Sequence, residues 1–128
     1  MVVRWGAVTM TTDHVIRLLE QLPGVEQRQA PEWTSFKVHG RTFGYLWEQT
    51  QTIGLKQTID EQLALVAERP QVFEKQFTAG RFGWVVVHVD RIEADEIAEL
   101  IFEAWRLTAP GELVDERGDR LPTPAEIG

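Results

Sequence analysis

The sequence predicts an α+β fold, a two-layer sandwich with helices packed on one face of an antiparallel sheet, and three observations point to it. Apolar residues recur with helical period near the start, the middle and the end of the chain. Between and after the first of these stretches lie segments that alternate apolar and polar residues around turn signals. The resulting order is helix, several antiparallel strands, helix, one or more strands, helix, which suits a sheet covered on one side.

Val15, Leu18, Leu19 and Leu22 fall at i, i+3, i+4 and i+7, so Asp13 to Leu22 is the first predicted helix. Thr12 can cap its N-terminus, Asp13 sits where the helix dipole favours a negative charge, and Pro23-Gly24 stops it. His14 lies in the exposed first turn and reads as a solvated histidine. Ahead of the helix, Met1 to Thr9 has no turn signal, and residues 1–10 are expected to be an extension that adds little to the fold.

A hairpin follows in Thr34 to Trp47, where a two-residue His39-Gly40 turn pairs Val38 with Arg41 and Phe36 with Phe43. Phe36, Val38, Phe43, Tyr45 and Trp47 then share the core face. Ser35, Lys37, Thr42, Gly44 and Leu46 share the solvent face, where only Leu46 is out of character. The strand Thr52 to Lys56 repeats the pattern, with Ile53 and Leu55 inward and Lys56 outside beside Lys37.

Thr58-Ile59-Asp60-Glu61 is a capping box that opens a second helix, with Leu63, Val66 and Ala67 toward the core and Pro70 forcing its end. Phe73 and Phe77 cross irregular ground to Gly80. Beyond it, Val85, Val87 and Val89 are expected to pack under the helices, which leaves Trp84, Val86 and His88 on the open face. Three valines need no polar partner inside, whereas Trp and His would. The last helix runs from Glu93 to Leu107, with Ile97, Leu100, Ile101, Ala104 and Trp105 inward and Asp95, Glu96, Glu99 and Glu103 outward.

One globular domain fits a chain of 128 residues with 43% apolar side chains. Residues 11–110 are expected to form it, and 111–128 an acidic, flexible tail with too little apolar content for a packed element. No apolar run approaches the ~20 residues that span a bilayer and no signal pattern opens the chain, so a cytoplasmic protein without a membrane partner is expected. The absence of cysteine excludes disulfides, thiol catalysis and Cys-ligated zinc. The net charge of −7 is unevenly placed: residues 1–92 carry ten acidic and ten basic side chains, and residues 93–128 carry ten acidic and three basic. A basic patch in the first part is therefore compatible with an acidic total.

Leu22-Pro23-Gly24-Val25-Glu26 after the first helix, Phe36-Lys37-Val38 with Phe43 in a hairpin, Gly83-Trp84 entering a Val-rich strand that ends at Asp90, and Ala104-Trp105-Arg106-Leu107 before Ala109-Pro110 resemble the MmcQ/YjbR family. The resemblance runs over roughly residues 12–110. It implies the compact fold likened to CyaY and frataxin, and the family is commonly labelled DNA-binding. Some members carry Asn-Lys before the Trp, where this chain has Gly80-Arg81-Phe82 and keeps a cation.

The expected function is a non-enzymatic, monomeric binding module without a cofactor, holding nucleic acid on the open sheet face with hairpin 36–43. Trp84, His88, Lys37, Arg41, Lys56 and Arg81 are the candidate contacts, Trp84 as a stacking platform beside cations. Against this stands the stronger reading of a Trp84 shielded by a loop or the tail, since Trp is heavily buried on average. A protein or small ligand on the Trp84 face is the alternative occupant. Histidines 14, 39 and 88 have no triad or metal-site spacing, and no glycine-rich phosphate loop follows a strand. Asp95, Glu99 and Glu103 align on the last helix and suit weak binding of a hard cation, although a solvated helix face explains them without a ligand and is the stronger reading.

Overall fold

Ten α-helices and β-strands follow one another in a computed structural model that describes residues 10–123. They are α1 (Thr12–Glu20), β1 (Val25–Gln29), β2 (Thr34–Val38), β3 (Arg41–Trp47), β4 (Thr52–Thr58), α2 (Ile59–Glu68), β5 (Phe73–Ala79), β6 (Phe82–His88), α3 (Ala94–Arg106) and α4 (Gly111–Arg117). The strands form one six-stranded antiparallel sheet in the order β1-β2-β3-β4-β6-β5. Helix α2 carries the chain from β4 to the outer edge, and β6 then returns between β4 and β5. Side chains from α1, α3 and one sheet face meet in the core, among them Leu18, Leu19, Phe36, Leu55, Val85, Ile101 and Trp105. The predicted α+β architecture is what the chain adopts.

Local chemistry explains where the helices begin. Thr11, one residue before the predicted cap, accepts from the His14 amide, and the His14 ring nitrogen accepts in return from the Thr11 amide. His14 is thus half of a capping box. Thr58 caps α2 by accepting from the Glu61 amide at 3.1 Å, as its spacing predicts. The inward face of α2 differs from expectation: Gln62 and Leu65 are buried, whereas Leu63 is 52% exposed and Ala67 faces solvent.

Gln62 takes that place because the sheet beneath it needs donors. A bulge between Lys75 and Phe77 interrupts the pairing of β5 with β6. The Gln62 amide bridges the break, donating to the carbonyls of Phe77 and Trp84 at 3.0 and 2.8 Å. Gly83 lets the helix approach, since a Cβ there would lie 2.8 Å from three Gln62 side-chain atoms. The bulge also accounts for the unpredicted strand. Phe73 and Phe77, four residues apart, belong on one face of a regular strand, yet Phe73 pairs across from Val87 and Phe77 from Trp84, on opposite faces.

A second bulge corrects the hairpin. The His39-Gly40 turn forms as predicted, with φ of +50° and +75°, and Val38 pairs with Arg41. The register then shifts between Phe36 and Lys37, so that Phe36 faces Gly44 instead of Phe43. From Gly44 onward the faces are exchanged. Leu46 enters the core, while Tyr45 and Trp47 turn to the other side.

The tail after Pro110 also departs from expectation. Residues 111–117 form α4, whose Leu113 and Val114 pack against the core. Arg117 donates to the Gln21 carbonyl, and Gln21 exchanges two hydrogen bonds with the Thr123 backbone. Met10, placed in the expected extension, is buried. Met1 to Thr9 and residues 124–128 lie outside the described residues.

Gly83→Ala is expected to lower stability by about 1–3 kcal/mol through overpacking against Gln62. Urea midpoints of the two proteins measure this, and an unchanged midpoint would show that Gln62 moves aside freely.

Candidate functional site

Alternation along the central strands sorts their side chains between two faces. Ile53, Leu55 and Gln57 of β4 point toward the helices, opposite Val87, Val85 and Gly83 of β6. Trp84, Val86 and His88 stand on the open face, as the alternation predicts, and Trp84 lies directly opposite Lys56. The bulge of β3 brings Tyr45 and Trp47 to the same face, where β2 presents Ser35 and Lys37.

Standing on the open face does not leave Trp84 free. It is only 6% exposed, because its ring lies 5.2 Å from that of Phe77 and 5.6 Å from that of Tyr45. Tyr45 stacks in turn on Trp47 at 6.2 Å. The expected single accessible Trp is therefore corrected to a row of four rings that shield one another across β3, β6 and β5. Gly54 leaves room beneath the row for Gln76, the bulged residue of β5, whose side chain lies across it.

The predicted cations gather around this row to different degrees. Lys56 Nζ sits 4.1 Å from the Phe82 ring centroid, and the Arg81 guanidinium lies 5.8 Å from the same ring. Burial, and then the nearby charge of Arg41, push the Lys56 ammonium below its ordinary value. An anion arriving beside it would offset the repulsion from Arg41. His88 is already engaged, with its Nε2 at 2.5 Å from Glu74 Oε2, and Arg41 is exposed beside the hairpin turn.

Beside the aromatic row lies a groove of ≈ 330 Å³, lined by Arg28, Ala30, Trp33, Ser35, Lys37, Thr42 and Tyr45. Of these residues only Lys37 was a predicted contact. Leu46 on a solvent-side list was the signal for Tyr45, because moving Leu46 inward turns Tyr45 out. Arg28 and Trp33 left no comparable trace, since β1 and the turn after it lack alternation. Trp33 is 40% exposed.

The acidic residues lie elsewhere. On α3, Glu96 pairs with Arg69 and Glu103 with Arg106. Among the described residues, no group of three or more His, Asp or Glu side chains is assembled to hold a metal ion. No described helix is long and apolar enough to cross a membrane.

A model of the YjbR family matches residues 20–107, which include every strand of the open face and α3 as well. The chain belongs to the YjbR family. Among solved structures, the crystal structure of Deinococcus radiodurans protein DR2400, with a DUF419 domain, is similar to this YjbR-family chain. The likeness covers 77% of this chain and 78% of that one, with a TM-score of 0.67 and 21% identity. At that identity it is a likeness of fold. No curated protein gives a significant match.

Two substitutions separate the roles of the paired residues Trp84 and Lys56. Trp84→Ala is expected to cost about 3–5 kcal/mol of stability, since it removes the middle ring of the row. Lys56→Met should be at least as stable as the parent at neutral pH. A lowered lysine pKa penalises the folded state below that pKa, and the penalty fades as pH rises toward the unfolded value of 10.5. The gap between the two urea midpoints should therefore close at alkaline pH, and a less stable Lys56→Met at pH 7 would refute the strain assigned to Lys56.

Proposed function

We propose that this YjbR-family protein is a non-enzymatic binding module that takes single-stranded nucleic acid on its open sheet face. The observation that carries the reading is the groove, whose lining combines Arg28, Lys37, Trp33 and Tyr45 and includes no carboxylate. A phosphate backbone needs cations along its path and unpaired bases need flat apolar surfaces. Trp33 supplies the exposed ring, Tyr45 a second ring at the groove wall, and Lys56 a cation already displaced from its preferred solvation. The β-sheet surface favours splayed bases over a duplex, whose stacked bases present edges instead of faces.

The net charge is compatible with this because the sheet separates its parts. Acidic α3 packs on the helical side, while on the other Arg28, Lys37 and Lys56 outnumber Glu26 and Glu74 among the strand residues. Such a molecule presents its basic side to a polyanion and turns its acidic side away. A small apolar ligand at Trp84 is less favoured, since Phe77 and Tyr45 already occupy the ring faces it would use.

Fluorescence anisotropy with short single-stranded DNA and RNA oligonucleotides at several salt concentrations tests the proposal. Contacts from Arg28, Lys37 and Lys56 predict a log–log salt slope of about −2. Trp33→Ala should weaken binding by about 1–3 kcal/mol and leave the urea midpoint unchanged within error, because the ring is exposed. Flat titrations at low salt, or binding indifferent to both Trp33→Ala and Lys37→Gln, would sink it.

A further inference from the structure

The sheet has two edges, and they are built differently. At one edge, β5 is kinked by the bulge between Lys75 and Phe77. Such a bulge spoils the regular spacing that another strand needs in order to pair. At the other edge, β1 pairs with β2 in unbroken register from Val25↔Val38 to Gln29↔Thr34. Its outer side has no neighbour among the described residues. Residues 26–29 are exposed.

Charges on an exposed edge ordinarily discourage pairing. Here they are two, Glu26 and Arg28, of opposite sign, and they stand on either side of Gln27. Both face the open side, opposite Lys37 and Ser35 of β2. Among the described residues, neither makes an ion pair within the chain. A second copy of β1 laid antiparallel about Gln27 would face Gln27 with Gln27, Val25 with Gln29, and each Glu26 with the other copy's Arg28. Sliding by two residues in either direction, the smallest shift that keeps the same side chains on each face, would set Glu26 against Glu26 or Arg28 against Arg28. The charges thus favour one register over its neighbours.

We infer that β1 is a self-association edge, through which two copies join their sheets about a two-fold axis at Gln27. The joined sheet would have twelve strands in a row, with both open faces on the same side. Each copy's groove borders this edge, so the two grooves would open on the same side of the joined sheet, one toward each end of the seam. The contact is short and polar, which makes it a weak dimer formed at high protein concentration and not an obligate one. The inference does not rest on nucleic-acid binding, since it is read on the protein alone.

Sedimentation velocity over a range of concentrations, without nucleic acid, is the measurement. The parent should shift from monomer toward dimer as concentration rises. Glu26→Arg and Arg28→Glu, made singly, set like charges opposite each other twice per dimer and should weaken association roughly tenfold or more. The double swap Glu26→Arg with Arg28→Glu restores opposite charges in the same register and should restore association to near the parent level. Circular dichroism confirms that each variant is folded. A parent that stays monomeric at every concentration overturns the inference, and so does a dimer that tolerates the single swaps or is not rescued by the double one.

Discussion

One extra residue in β3 decides what the open face is made of. Phe36 faces Gly44 and Lys37 faces Thr42, so Phe43 has no partner of its own on β2. Phe43 remains in the core, and every residue after it changes sides. Without the bulge, Tyr45 and Trp47 would be driven under the helices, where a hydroxyl and an indole would need buried partners. Leu46 would be stranded in water. With it, Leu46 packs at 0% exposure opposite Ile53, and two aromatic rings reach the open face, Tyr45 against Trp84 and Trp47 against Tyr45.

The bulge of β5 does the complementary work at the other end of the row. It turns Phe77 onto the open face against Trp84 while Phe73 stays inside. It also breaks a ladder, and α2 repairs the break with Gln62, so a helix on one side of the sheet and aromatic stacking on the other share one irregularity. Oxygen atoms of Gln57, Gln62 and Gln76 are buried without a hydrogen-bond partner. Two belong to amides that hold helix and sheet together, Gln57 donating to the Leu100 carbonyl of α3 and Gln62 clasping the bulge, while Gln76 lies over Gly54. Unsatisfied oxygens cost stability. The aromatic row and the helix contacts offset that cost.

Much of this fold is legible because most of it follows period. The stripe Ile97, Leu100, Ile101, Ala104 and Trp105 is buried throughout, and Val85 and Val87 lie inward with Trp84 and His88 outward. What escapes reading is what breaks period. Bulges leave no residue type that marks them, only a discordant neighbour such as Leu46. A glutamine facing inward on α2 is invisible to any rule that sends polar residues out, and its need arises from a break in a strand fifteen residues away. Helix α4 has two apolar side chains, too few to declare itself alone, yet enough once Gly24 and the α1 end provide a surface for them. The candidate site is half legible for the same reason. Lys37, Lys56 and Trp84 follow alternation, while Trp33 sits in a turn and Tyr45 beyond a bulge.

The residues that carry the family resemblance do structural work that can be traced. Leu22-Pro23-Gly24 and Ala104-Trp105 are far apart in sequence, but the Trp105 indole donates to the Pro23 carbonyl at 3.0 Å. Trp105 is fully buried, so the bond ties the end of α1 to α3 from inside the core. Gly83 is small because Gln62 lies against it, and Phe36, Val38 and Phe43 fill the core. Apart from Glu26, Lys37 and the outward side chains of β6, none of these side chains lies on the open face, and Arg28, Trp33 and Tyr45 are not among them. A chain can therefore keep all of these residues while its groove loses the Arg28 charge or the exposed Trp33 ring. Family membership fixes the platform, and the ligand must be argued from what stands on it.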